Sequence, residues 1–138
     1  MHFVDGTMDR HKYSEVILTR MLPQVREWFP DGNYIFMQDN APCHMARSVS
    51  EVLTACGVEV LPWPGNSPDL NPIENVWANI KLRIREGQEL TNKAQHKESL
   101  RNIWENDPAL ICIIEKCIKS MPERVAAVIA ANGGATKY

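Results

Sequence analysis

Tyr34-Ile35-Phe36-Met37-Gln38-Asp39-Asn40 sets four apolar residues against an abrupt polar end. Four consecutive apolar positions read as a strand covered on both faces, placed centrally in a sheet. Downstream, Met45, Val49, Val52, Leu53 and Cys56 form one helical stripe closed by Gly57, and Val58-Glu59-Val60-Leu61 is a second strand. Strand, helix, strand is the pattern of a right-handed parallel crossover. Upstream, Pro30-Asp31-Gly32-Asn33 is a turn. Before it, Tyr13, Val16, Ile17 and Met21 predict a helix that Pro23 interrupts, and His2-Phe3-Val4 predicts a short strand ended by Asp5-Gly6-Thr7.

After the second strand comes a Pro- and Gly-rich loop, Pro62 to Leu70, and then a clear helix start. Asn71 can cap, Pro72 suits the first helical position, and Glu74 lies three residues after the cap. Ile73, Val76, Trp77, Ile80 and Ile84 mark the buried face of that helix. Beyond Gly87 the chain reads as helical again. Leu100, Ile103 and Trp104 make one stripe; Leu110, Ile111, Ile114, Cys117 and Ile118 make another, opened by Asp107-Pro108; Val125, Val128 and Ile129 mark the last, ended by Asn132-Gly133-Gly134. The expected fold is α/β with a helical C-terminal half, as one domain over residues 1–138.

Composition narrows the function classes. A chain of 138 residues has room for one core, though not for a DNA-binding module and a nuclease side by side. At 44% hydrophobic and 23% charged residues it has the make-up of a soluble globular protein. No apolar run approaches the ~20 residues that span a bilayer, so no membrane is expected. The N-terminal residues carry no signal-peptide pattern. A net charge of −2 means that any DNA contact has to be local. Cys43, Cys56, Cys112 and Cys117 form no Cys-x-x-Cys pair; they read as buried thiols in a reducing compartment, cytosolic or nuclear.

Ligands of an open α/β sheet gather beyond the carboxyl ends of its strands, and Asp39 stands at such an end. Asp39-Asn40 can equally form a turn and cap the helix after Pro42. Glu74 also has a local reading, reaching back to a backbone N–H in a capping box worth ~1 kcal/mol. The pair says more than either residue. Between Asp39 and Glu74 lie 34 residues, holding helix, strand and Pro-rich loop, so the chain returns to a helix start near the same sheet edge. Two carboxylates so placed can hold Mg²⁺ or Mn²⁺, hard cations that prefer oxygen. Two such ions can activate an attacking water or 3′-hydroxyl at a phosphodiester and stabilise the leaving oxygen.

Gln38-Asp39-Asn40-Ala41-Pro42-Cys43-His44 resembles the second-aspartate motif of mariner-type transposases, the Tc–mariner superfamily. Residues 63–77, from Trp63-Pro64-Gly65 through Ser67-Pro68-Asp69-Leu70-Asn71-Pro72-Ile73-Glu74 to Trp77, resemble their third-carboxylate motif. Ser120-Met121-Pro122-Glu123-Arg124-Val125 and the ending Gly133-Gly134-Ala135-Thr136-Lys137-Tyr138 are similar to the family's C-terminus. The resemblance implies a ribonuclease H-like fold and metal-dependent DNA strand cleavage and strand transfer by two Asp and one Glu. Asp39 matches the second carboxylate and Glu74 the third, as catalytic residues and as Mg²⁺ or Mn²⁺ ligands. His44 matches a usual residue of the motif, without a ligand role. Asp69 reads as part of the loop structure. Double-stranded DNA, in the family the transposon ends, is the implied partner, a homodimer is the assembly considered, and the nucleus is the expected location.

The chain departs from the family at its start. The first Asp of the family lies on an earlier strand, upstream of what His2 to Leu22 resembles, and the helix-turn-helix region is likewise missing. The expectation is an N-terminally truncated sheet, a two-metal site without its third carboxylate, and no DNA cutting by this polypeptide alone. Asp5 and Asp9 are the only nearby candidates for that role, and Asp5-Gly6-Thr7 reads as a turn after a later strand of the fold, which weighs against a substitution. The alternative function is a non-catalytic transposon-derived remnant that binds DNA or a protein partner. Lys81 and Arg85, near Glu74 on the less apolar helix face, are the candidate phosphate contacts. They belong to a wider basic set with Arg83, Lys93, Lys97 and Arg101, set against Glu86, Glu89 and Glu98. Trp77 reads as a packing residue.

Overall fold

A helix runs through Pro23 rather than stopping at it. In a computed structural model of the protein, α1 (Arg10–Val16), a π-helical turn (Ile17–Met21) and α2 (Leu22–Trp28) follow one another without a break. Pro23 has no N–H for the carbonyl four residues back, and its ring would crowd that carbonyl. The widened turn directly before it, in which the Leu22 N–H reaches the Ile17 carbonyl, absorbs the ring. The structure describes residues 1–65, 67–87 and 90–138; the parts given above to Asn66 in the loop motif and to Glu89 in the charge balance lie outside the described residues.

Two compact units divide the chain, His2–Asn66 and Ser67–Tyr138, each with its own core. In the first, α1 and its continuation pack on α3 (Arg47–Ala55), burying Ile17, Leu22, Val49, Leu53 and Val58 with Tyr34, Phe36 and Val60 against them. α3 ends in a Schellman turn: the Val58 N–H reaches the Leu53 carbonyl and Gly57 N–H that of Thr54. Gly57 sits at φ +68°, which a side chain would strain. That turn sends the chain straight back alongside residues 34–37.

Strand content is smaller than the sequence predicts. Among the described residues the pairing is one parallel bridge, Phe36 with Val60, made by Phe36 N–H to Glu59 O (2.8 Å) and Leu61 N–H to Phe36 O (2.8 Å). The parallel direction and the partner segments are those of the predicted crossover. His2-Phe3-Val4, expected as a short strand, is not a strand in the structure. Met45, expected on the buried stripe, lies before α3 and is exposed.

In the second unit a 3₁₀ turn (Pro68–Leu70) leads into α4 (Pro72–Glu86), followed by α5 (Lys93–Asn106), α6 (Pro108–Lys119) and α7 (Met121–Ala130). Val76 and Ile80 of α4 bury against Leu110 and Cys117 of α6, with Trp77 stacked on Trp104 at 5.6 Å between centroids. Asp107 starts α6, accepting the Ala109 N–H at 2.9 Å, and its other oxygen pairs with Arg83 of α4. The apolar stripes of α6 and α7 are only partly buried: Ile111, Ile118, Val125 and Ile129 are exposed, because α4 takes the opposite face of α6. The thiol expectation is corrected for Cys112, which is exposed; Cys117 is buried, Cys43 and Cys56 half-buried, and all four are free.

Candidate functional site

Asp39 sits three residues past the Phe36 bridge, where the backbone leaves its pairing and turns. Its Oδ1 accepts the Ala41 N–H at 3.0 Å, which is the local turn that Asp-x-Ala-Pro predicts. The same oxygen meets His44 Nδ1 at 2.6 Å. The Asp39 side chain is 56% exposed and that of His44 only 20%. A half-buried ring therefore holds a carboxylate that faces solvent. The His44 ring stacks on Tyr13 of α1, with centroids 4.0 Å apart. The Tyr13 hydroxyl donates to Gln38 Oε1 at 2.8 Å, and Gln38 Nε2 donates to the His44 carbonyl at 3.4 Å. Burial, with the nearby Cys43 and Asp39 charges adding to it, pushes the Tyr13 phenol up to about 12. Asn40, next along, donates to the Trp63 carbonyl at 3.1 Å and so ties the Asp39 turn to the start of the Pro-rich loop.

Glu74 lies in the first turn of α4 and is exposed. The capping box the sequence allows does not form: Asn71 makes no side-chain cap bond, and the Glu74 N–H instead goes to the Asn71 carbonyl at 3.1 Å. Its carboxylate has no hydrogen-bond or ion-pair partner among the described residues. The stripe that continues from it, Ala78, Lys81 and Arg85, is exposed at every position, and Lys81 and Arg85 are also without partners among the described residues. Arg83 is not part of that set, being half-buried and paired with Asp107. Arg101 bonds to Glu98 at 2.8 Å. Trp77 packs, as expected.

The loop before Glu74 is held from the C-terminal side. Arg124 is 3% exposed; its Nε donates to Ser120 Oγ at 2.8 Å and its Nη1 to the Asp69 carbonyl at 2.9 Å, and its guanidinium lies 4.7 Å from the Tyr138 ring centre. Asp69 Oδ2 accepts the Thr136 hydroxyl at 3.0 Å. Asp69 thus has the loop role expected of it, with partners 55 and 67 residues away. That buried Arg124 and the ring on His44 were not read from sequence. An arginine one position from an apolar stripe carries no mark of burial, and the five-residue step from Asp39 to His44 fits no regular element.

Asp9, one of the two acidic candidates near the start of the sequence, is the cap of α1, accepting the His11 and Lys12 N–H groups at 2.8 and 2.9 Å. The Lys12 amide bond holds its pKa below the usual carboxylate value. Lys12 Nζ in turn holds the Asp5 and Thr7 carbonyls, fixing the 5–7 turn. Among the described residues no three His, Cys, Asp or Glu side chains converge on a cation position. Asp39 and Glu74 belong to different units.

Both motifs lie within the span of a match to a known family. The family model described as "DDE superfamily endonuclease" matches residues 1–97. The chain is 38% identical over 135 residues to the transposable element Tc1 transposase of Caenorhabditis elegans, covering 98% of this chain and 48% of that protein. The chain spans about half the length of the curated relatives it matches. Among solved structures, the catalytic domain of Mos1 mariner transposase aligns over 96% of this chain and 66% of that one, with TM-score 0.80 and 27% identity. The Mos1 paired-end complex with Mg aligns over 96% of this chain and 39% of that one, with TM-score 0.82 and 26% identity; the same complex is known with Mn. The chain therefore matches part of a ribonuclease H-like catalytic domain.

Proposed function

Because the chain belongs to the DDE superfamily endonucleases and within them to the Tc1/mariner-type transposases, we propose that it supplies the second and third carboxylates, Asp39 and Glu74, of a metal-dependent DNA cleavage and strand-transfer centre. One observation carries the reading: in both matched motifs the carboxylate keeps oxygen uncommitted. Asp39 gives both its protein bonds to Oδ1, and Glu74 has none among the described residues. Such oxygens are the hard donors that Mg²⁺ and Mn²⁺ prefer, and Mos1 complexes are known with each metal. A bound pair of ions would supply activation of the attacking hydroxyl and charge stabilisation of the leaving oxygen.

The chain's own residues do the rest. The parallel bridge between Phe36 and Val60 sets residues 34–37 beside 58–61, and Asp39 follows three residues past it. Lys81 and Arg85, exposed and unpaired among the described residues, contact phosphates of double-stranded DNA through charge alone, so binding weakens steeply with salt. The proposed place of action is the nucleus, and the proposed substrate is transposon-end DNA, the left transposon end being the partner in one Mos1 paired-end complex.

This polypeptide by itself is proposed not to cut DNA, since Asp9 serves as a helix cap and no third carboxylate joins Asp39 among the described residues. Nicking of supercoiled plasmid with Mg²⁺ or Mn²⁺ tests this. No nicking above buffer is expected; cleavage by wild type that Asp39→Ala removes overturns the inactivity and supports the ligand role of Asp39. A gel shift at low salt that disappears in Lys81→Ala/Arg85→Ala supports the DNA contact, and no shift at any salt opposes it.

A further inference from the structure

Resting on the reading of Asp39 as a metal ligand, we infer that His44 is a positioning residue that restricts Asp39 to one-oxygen coordination, occupying Oδ1 and leaving Oδ2 for the cation. A carboxylate 56% exposed at the end of a short extended segment would ordinarily sample several rotamers and present either oxygen, or both, to a metal. Here two donors from different directions, the Ala41 N–H and the His44 ring, meet on the same oxygen. The ring has little freedom of its own. It is stacked face to face on Tyr13, and the His44 carbonyl is held by Gln38, whose amide orientation follows from the Tyr13 hydroxyl on its oxygen. Four side chains on three segments, α1, the strand end and the following turn, therefore close a ring of contacts around one carboxylate oxygen.

The contact sets the imidazole proton on Nδ1, because a carboxylate can only accept. That assignment gives the inference a stereochemical test. An asparagine amide reaches the position of the histidine Nδ1, whereas a glutamine amide reaches that of Nε2. Only the first restores a donor to Oδ1.

The measurement is Mn²⁺-induced broadening of the amide signals of residues 38–45 in the ¹⁵N-labelled 138-residue chain, with Mn²⁺ alone as probe. Removing an outer-shell partner typically weakens metal binding ~10-fold or more. His44→Ala and His44→Gln should therefore need ~10-fold more Mn²⁺ for half-maximal broadening, with His44→Asn within ~3-fold of wild type. Equal midpoints for wild type and His44→Ala overturn the inference, as do equal midpoints for the Asn and Gln variants. If the alanine variant does not fold, the Asn and Gln pair decides alone. Asp39→Asn separates the two levels. If it leaves the midpoint unchanged, the ligand reading of Asp39 fails and this inference with it; if it weakens binding while the His44 series stays level, the positioning role alone fails.

Discussion

Arg124 is the side chain whose loss should be felt most in the second unit. It is 3% exposed, has no carboxylate partner among the described residues, and gives charged N–H donors to Ser120 Oγ and the Asp69 carbonyl while lying over Tyr138. Arg124→Met keeps the length and apolar stem and removes the donors. Two hydrogen bonds from a charged group are worth ~1.5–3 kcal/mol each, and a desolvated cation–ring contact about 2 kcal/mol. Against these stands the desolvation of a guanidinium, several kcal/mol on the order of the gain, which methionine does not incur. The Asp69 carbonyl loses its donor, which keeps the balance unfavourable. The expected net destabilisation is ~2–3 kcal/mol. Urea titration followed by circular dichroism reads that loss, and hydrogen exchange reads its location: the Leu70 and Asn71 amides, bonded to Ser67 and Pro68 carbonyls, should exchange faster. Arg124→Lys should also destabilise, since one ammonium cannot serve both oxygens while lying flat on a ring. A methionine variant within ~0.5 kcal/mol of wild type, with unchanged exchange at Leu70 and Asn71, refutes the reasoning.

Three further outcomes follow from the same geometry. Asp107→Ala removes the α6 cap and leaves Arg83 unpaired, for a loss of ~2 kcal/mol in urea unfolding; a neutral result would show that neither bond matters in solution. Ile80→Ala, at 1% exposure between α4 and α6, should cost ~3 kcal/mol by the same measurement, and a cost under ~1 kcal/mol would contradict the described core. Tyr13, pushed up to about 12, favours its protonated form when folded, so its contribution to stability is complete below the ordinary value of 10 and is lost as pH rises through about 12. Ultraviolet titration should show one tyrosinate step near 12 that Tyr13→Phe removes; no step above about pH 11 would contradict it.

What was legible in the sequence follows the range of the interactions involved. The α3 stripe from Val49 onward, the Gly57 stop and the Asn132-Gly133 ending depend on neighbours within one or two turns, and the structure repeats them. The parallel approach of residues 34–37 and 58–61 was visible, though not the Phe36–Val60 register, because a crossover of that length allows few arrangements. Pro23 was misjudged as a break because a widened turn can absorb its ring, which no propensity registers. The capping box at Glu74 was the natural local reading and does not form, so the motif, not the local pattern, pointed to a free carboxylate. The Arg124 clamp on Asp69 and the His44 contact on Asp39 depend on residues brought together across 55 and 5 positions, and neither separation has a periodic signature.

The central claim is that Asp39 and Glu74 are both ligands of a divalent cation. Free Mn²⁺, followed by electron paramagnetic resonance during titration of the wild-type chain, Asp39→Asn, Glu74→Gln and the double variant, tests it most directly. Each single variant should weaken Mn²⁺ binding, and the double variant should be weakened by less than the two losses combined, as expected for residues that serve one ion. Wild-type affinity in Glu74→Gln would contradict the claim and leave Glu74 as an exposed residue of the first turn of α4.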